Sequence, residues 1–344
     1  MRMLILSSKS LLQKEVGDLK PLVEEIERYK KRNKNYEIKF VFFDEDNIFS
    51  IKPAKKKPKE IRGFINQIEK KWGNIQTVLI IGGDRVVPFY RLPNPCDDDD
   101  ASVLSDNPYA SRDDDFLIPE RVCARIPDNK RIDFIIKQLN KSFIRFDKSF
   151  GMSAAVWREA SKNVYKQIGD IKELKISPPT TSENFNSDWL ENKDFLYFNL
   201  HGSAVSENWY GQQGNEYPVA LKPSNISSAT GFVASEACYG AYIVNKTEKN
   251  ALSLKFLDQK DIIGFCGSTT IAYGPPAPPS GEADLIVKYL FEYLKQGLSV
   301  GEAFKNAKVD FARKMVRRHG FLDDDDQKTL LQFVLYGDPL LKLF

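Results

Sequence analysis

The sequence predicts an α/β protein: a mostly parallel sheet flanked by helices, with an N-terminal α/β subdomain over residues 1–150 ahead of a second unit over 151–344. Three observations predict it. Short apolar runs alternate with stretches whose apolar residues recur at spacings of three and four. A second alternating series opens at Gly151, after the first has ended in an amphipathic helix. The length, 344 residues, is two to three times that of a usual domain and suffices for a sizeable core without metal or disulfide staples.

In order along the chain, Met3–Leu6 reads as a strand, and Leu19, Leu22, Val23 and Ile26 mark a helix. Ile38–Phe43 is the next strand. Ile61, Phe64, Ile65 and Ile68 mark a second helix, and Thr77–Ile81 is a third strand closed by Gly82-Gly83-Asp84. From Pro88 to Asp115 the periodicity is lost among Pro, Asn, Ser and acidic residues, as expected of a functional or mobile loop. Ile132, Ile135, Ile136, Leu139 and Phe143 then define an amphipathic helix. In the second unit, Ala154–Trp157 begins a strand, Phe195–Leu200 ends in His201-Gly202, Gly231–Ala234 leads to Cys238, and Ile262–Cys266 leads to Gly267. Two helices follow, one carrying Leu285, Ile286, Tyr289 and Leu290, the other Ala303, Phe304, Ala307 and Phe311.

Composition narrows the function. Lys plus Arg number 50 against 47 Asp plus Glu, a net +3 too balanced for a nucleic-acid or anionic-membrane footprint. No apolar run approaches the roughly 18 residues of a membrane span, and the apolar stretch at the start is shorter than a secretory core. Cys96, Cys123, Cys238 and Cys266 form no C-x-x-C pair, and a reducing, cytoplasmic setting is expected. Only His201 and His319 can supply an imidazole, which excludes multi-histidine metal chemistry.

Ligands collect at the carboxyl ends of parallel strands, and two reactive residues sit at such ends. His201 and Cys238 are separated by 37 residues, enough for one strand–helix crossover to a neighbouring strand. A thiol is a poor nucleophile at neutral pH unless a base or cation favours the thiolate, and His201 would be that base. Gly202 and Gly240 would let a peptide backbone approach and leave amides free for an oxyanion. Against this stands the plainer reading, in which a cysteine at a strand end is a small core residue. His319, ahead of Gly320 and beside Arg317 and Arg318, reads as a helix C-terminal cation, and Cys266 as core.

His201-Gly202, Ala237-Cys238-Tyr239-Gly240-Ala241, GSTTIAYG (267–274) and YGDPLL (336–341) together resemble the caspase-like (clan CD) cysteine peptidases, in their gingipain-type branch. VLIIGGDRVVPFYRLP (78–93), SDNPY (105–109) and RVCARIP (121–127) resemble that branch's N-terminal subdomain, so the similarity spans nearly the whole chain. The resemblance implies a caspase-like sheet in the 151–344 catalytic subdomain and a cysteine endopeptidase with a Cys-His dyad. It also implies His201 as general base then acid, Cys238 as nucleophile, and the amides of Gly202 and Cys238 as oxyanion hole. It implies a polypeptide substrate, with an upstream activator or regulatory protein as a further expected partner, and no required cofactor.

The primary pocket in that branch is lined partly by the loop after the first catalytic strand, here Val156-Trp157-Arg158-Glu159. Glu159 in the pocket predicts cleavage after Arg or Lys; Arg158 there predicts cleavage after Asp or Glu. Either could instead be a solvated helix-start residue. Glu236 and Asp284, with Glu282, are further candidates for a basic-residue pocket, and Arg or Lys at P1 is the expectation. The acidic runs Asp97–Asp100, Asp113–Asp115 and Asp323–Asp326 offer oxygen ligands for a structural Ca²⁺, though without EF-hand spacing. Lys55–Lys57 and Lys59, set among prolines, form an exposed segment that a basic-specific peptidase could cut in itself. The competing expectations are a non-catalytic caspase-like interaction module and, from Gly82-Gly83 alone, a nucleotide- or phosphate-binding enzyme.

Overall fold

The computed structural model describes residues 1–344. Its strands are β1 (Arg2–Ser7), β2 (Glu37–Phe42), β3 (Thr77–Ile81), β4 (Tyr90–Leu92), β5 (Val103–Ser105), β6 (Val122–Ile126), β7 (Ser149–Ala154), β8 (Lys175–Ser177), β9 (Phe195–Asn199), β10 (Trp209–Tyr210), β11 (Val219–Leu221), β12 (Thr230–Ser235), β13 (Asp261–Ser268) and β14 (Phe333–Gly337). The helices are α1 (Lys9–Val16), α2 (Lys20–Arg32), α3 (Pro58–Trp72), α4 (Asn107–Ala110), α5 (Ile132–Leu139), α6 (Arg158–Tyr165), α7 (Leu252–Asp258), α8 (Glu282–Lys295), α9 (Val300–His319) and α10 (Asp324–Gln332).

Ten strands form one sheet in the order β2-β1-β3-β6-β14-β13-β12-β9-β7-β8. The central strands read as unbroken apolar runs because helices cover both faces, so that every residue of β3, β9 and β12 is buried. Side-chain alternation along β9 divides the cover. Phe195 and Tyr197 meet Phe291 of α8, whereas Phe198, on the other face, meets Phe256 of α7. Fully burying one such ring is worth roughly 1.5–3 kcal/mol.

The one antiparallel contact in this sheet is β13 with β14, and β14 is parallel to β6. Strands β2, β1, β3, β6 and β14 therefore run one way, and β13, β12, β9, β7 and β8 the other. The Gly82-Gly83 turn at the end of β3 thus lies on the opposite rim from the ends of β9 and β12. The 88–115 segment is ordered rather than free: it holds the β4–β5 hairpin and α4, and its loop reaches across to the other rim. The 201–229 crossover contains no α-helix. It is built on the small β10–β11 pair and a 3₁₀ turn, so the expected strand–helix crossover is corrected. The strand expected to begin at Ala154 instead ends there, and Ala155–Trp157 form a 3₁₀ turn into α6.

Candidate active site

β9 and β12 are neighbouring parallel strands, with Phe198 opposite Ser235, so their carboxyl ends open side by side. His201 follows one and Cys238 the other. The main chains touch here: a β-carbon on Gly202 would collide with the carbonyl oxygen of Cys238. Only glycine fits at 202, and its absent side chain sets how closely the two strand tips approach.

The imidazole of His201 is held from several sides. Its backbone exchanges two hydrogen bonds with Tyr210, at 2.8 and 2.9 Å. The Trp157 ring lies 4.4 Å from the imidazole between centroids, and Tyr217 lies 5.2 Å away, edge on. Nε2 is 2.7 Å from Oε1 of Gln212. Burial pulls the imidazole pKa below its ordinary value, against the Gln212 hydrogen bond, which raises it.

Cys238 is half-buried. Its Sγ accepts from the Ala272 N–H at 3.3 Å and donates to the Ala272 carbonyl at 3.5 Å. Burial pushes this thiol up from its ordinary value, with the Ala272 N–H working the other way. Both shifts favour the uncharged forms, and no hydrogen bond joins the thiol to the imidazole within the fold. No backbone carbonyl accepts from the N–H of Gly202 or of Cys238, and the latter lies against its own sulfur.

Beside Cys238 a narrow pocket, with about 20 Å³ of free volume, is lined by Trp157, Ala272, Tyr273 and Gly274, together with two buried carboxyls, Glu236 and Asp284. Glu236 accepts from Tyr197 Oη at 3.0 Å through one oxygen, while its carboxyl and that of Asp284 face each other with no further donor from the fold. Burial, then the charge of Asp284, pushes the Glu236 carboxyl well up, and burial lifts Asp284 to about 7. Like charges this close share protons. Of the residues expected at the pocket, Trp157, Glu236 and Asp284 line it. Arg158 and Glu159 do not: α6 begins at Arg158, both side chains are exposed, and Glu159 pairs with Lys162 at 2.8 Å. Glu282 lies just before Asp284 at the start of α8, outside the pocket lining.

Several residues around the site carry no motif of their own in the sequence. Asp100 accepts from Tyr239 Oη at 2.5 Å, from the Ile271 N–H at 2.8 Å and from Lys328 at 2.7 Å. Asp98 accepts from Lys328 and from Tyr273 Oη. The loop from the N-terminal half is thereby tied to the residue after Cys238 and to the segment that faces its sulfur. The other acidic runs are also engaged: Asp114 pairs with Arg62 at 2.6 Å, and Asp323 and Asp326 form a capping box on α10. No three His, Cys, Asp or Glu side chains converge as a metal site. His319 ends α9 ahead of the left-handed Gly320, and Cys266 is fully buried in β13.

Comparison with known proteins now decides the family. The model of peptidase family C25 matches residues 1–159 and 129–344, which together span the chain. The chain belongs to peptidase family C25. This C25 chain is a cysteine endopeptidase of the caspase-like, gingipain branch, and its substrates are polypeptides. Among solved structures, the Arg-specific cysteine proteinase gingipain R is similar over 99% of this chain and 77% of its own, with 16% identity and a TM-score of 0.68. A complex of the RgpB pro- and mature domains from Porphyromonas gingivalis is similar over 99% of this chain and 79% of its own, with 15% identity and a TM-score of 0.67. These likenesses establish the shared fold. No curated protein sequence gives a significant match to this C25 peptidase.

Proposed function

We propose that this peptidase cleaves polypeptides after Arg or Lys, with Cys238 as nucleophile and His201 as general base and then acid. In this reading, Sγ attacks the scissile carbonyl carbon as His201 takes the thiol proton. The oxyanion is received by the N–H groups of Gly202 and Cys238, which donate to no backbone carbonyl. Collapse of the tetrahedral adduct breaks the C–N bond, and the protonated imidazole delivers its proton to the departing amine. Water then hydrolyses the thioester, with His201 again accepting a proton.

The observation that carries the P1 preference is the pair of buried carboxyls beside Cys238, which face each other with Tyr197 as the one other donor. A guanidinium or ammonium group supplies the missing donors and the opposite charge, whereas an acidic side chain would meet like charge. The four unpaired thiols support a reducing setting for the enzyme. A peptide library varied at P1 tests the reading: hydrolysis should concentrate on Arg and Lys. Cys238→Ala should abolish hydrolysis with unchanged thermal melting, and His201→Ala should lose about 10²–10⁴-fold in rate. Turnover retained in Cys238→Ala would contradict the assignment of the nucleophile.

A further inference from the structure

The hairpin-bearing crossover after His201 carries a side chain that the chemistry above leaves unused. Gln212 faces the imidazole with Oε1 at 2.7 Å from Nε2. The orientation of its amide is fixed by the other end. Nε2 of Gln212 lies 3.1 Å from the Gly214 carbonyl, which can only accept, and 2.9 Å from Tyr217 Oη. Rotating the amide would set two carbonyl oxygens against each other, so the oxygen must face His201. An oxygen there requires a proton on imidazole Nε2. A neutral imidazole carries one proton, so Nδ1 bears the lone pair, and no donor in the fold reaches it.

The backbone of Gln212 is fastened as well. Its N–H donates to the Ser177 carbonyl at 3.1 Å and its carbonyl accepts from the Val156 N–H at 3.2 Å. The residue thus sits between the ends of β8 and β7, with Trp157 just beyond. The packed groups around the ring are Trp157 and Tyr217, with Tyr210 joined through its backbone and Cys238 across the strand tips. Arg158 and Glu216 on the flanking segments are exposed.

We propose that Gln212 is the positioning residue for His201: its side-chain carbonyl holds the Nε2 proton, so that Nδ1 is the atom that accepts the proton from the Cys238 thiol. A neutral amide does this without adding negative charge, and so leaves the imidazole uncharged at neutral pH, consistent with its lowered pKa. The proposal rests on the role of His201 stated above.

Two measurements test it. The chain has only two histidines, so ¹⁵N-histidine-labelled protein shows two imidazoles, assigned with His319→Gln. At pH 7–8 the ring of His201 should give the spectrum of the Nε2-protonated neutral tautomer, and Gln212→Ala should blur it towards a mixture. In kinetics, Gln212→Ala should lower kcat about 10- to 100-fold, less than His201→Ala, with KM within a few-fold. Gln212→Glu should recover most of kcat at alkaline pH. It should also move the acid limb of kcat/KM up by about one pH unit or more, because a carboxylate at this position favours imidazolium. An Nδ1-protonated His201 in the unsubstituted enzyme overturns the proposal. So does an unaltered kcat and pH profile in both Gln212 variants when His201→Ala is inactive. If His201→Ala remains active, the reading of the dyad fails instead, and the tautomer spectrum, which needs no turnover, still decides what Gln212 does.

Discussion

Glu236 and Asp284 lie within the fold, 6% and 1% exposed, and face each other. Because burial raises both carboxyls of the pair above the ordinary carboxylate range, the pocket gains negative charge as pH rises towards and through neutrality. For substrates with Arg or Lys at P1, kcat/KM should therefore climb across pH 6–8, mostly through KM, and Asp284→Asn should flatten that climb. A pH-independent KM in the unsubstituted enzyme would contradict it. The same carboxyl affects folding in the opposite direction. Its folded pKa stands above the unfolded value near ~3.9, so its contribution is most favourable when protonated and is lost as pH rises from about 4 to 7. Asp284→Asn should accordingly melt at a higher temperature than the parent at pH 8, with the difference shrinking towards pH 4.

Helix α10 reaches the rim that bears His201 and Cys238 through one side chain. Lys328 is fully buried and donates to both Asp98 and Asp100, which in turn accept from Tyr273, Tyr239 and the Ile271 N–H. Removing the cation leaves two carboxylates without their counter-charge, a change that typically costs about 3–5 kcal/mol. Lys328→Met should lower thermal stability by that order, and kcat with it, because Tyr239 and Ile271 flank Cys238 and Ala272. An unchanged melting temperature would refute the argument. Such a network leaves no trace in the sequence, where Asp97–Asp100 and Lys328 are 228 or more residues apart and read as solvated charge. The same limit applies to Gln212, whose role depends on where the 201–229 crossover returns. What could be read were elements long enough to show a period. Thr77–Ile81, Phe195–Asn199 and the α3 and α9 faces are visible as apolar runs or three-and-four spacings. β4, β8, β10 and β11, at two or three residues each, are too short for any pattern to emerge. His201 and Cys238 stood out because each closes such a run.

Across the whole molecule, the reversal at β14 separates the lysine-rich segment from the chemistry. Lys55–Lys57 are exposed and follow β2, which lies six strands from β12 and points the other way. At ~4.8 Å per strand the gap is roughly 29 Å along the sheet alone, besides the change of rim. If the peptidase cuts this segment, one molecule must cut another. Cleavage near residues 55–59, followed by mass spectrometry, should show an initial rate that rises with the square of protein concentration and should not occur in Cys238→Ala. First-order processing at high dilution would exclude the intermolecular route.

β14 fills the central gap between β6 and β13, yet it is drawn from residues 333–337. Its Tyr336 stands opposite Arg125, more than two hundred positions upstream, and also reaches the Ala241 carbonyl, three residues past Cys238. During translation, strands on both sides of that gap emerge long before the piece that zips them together. The nascent chain must wait with two raw sheet margins until residues 333–337 have been synthesised, a delay that postpones proteolytic competence within the producing cell.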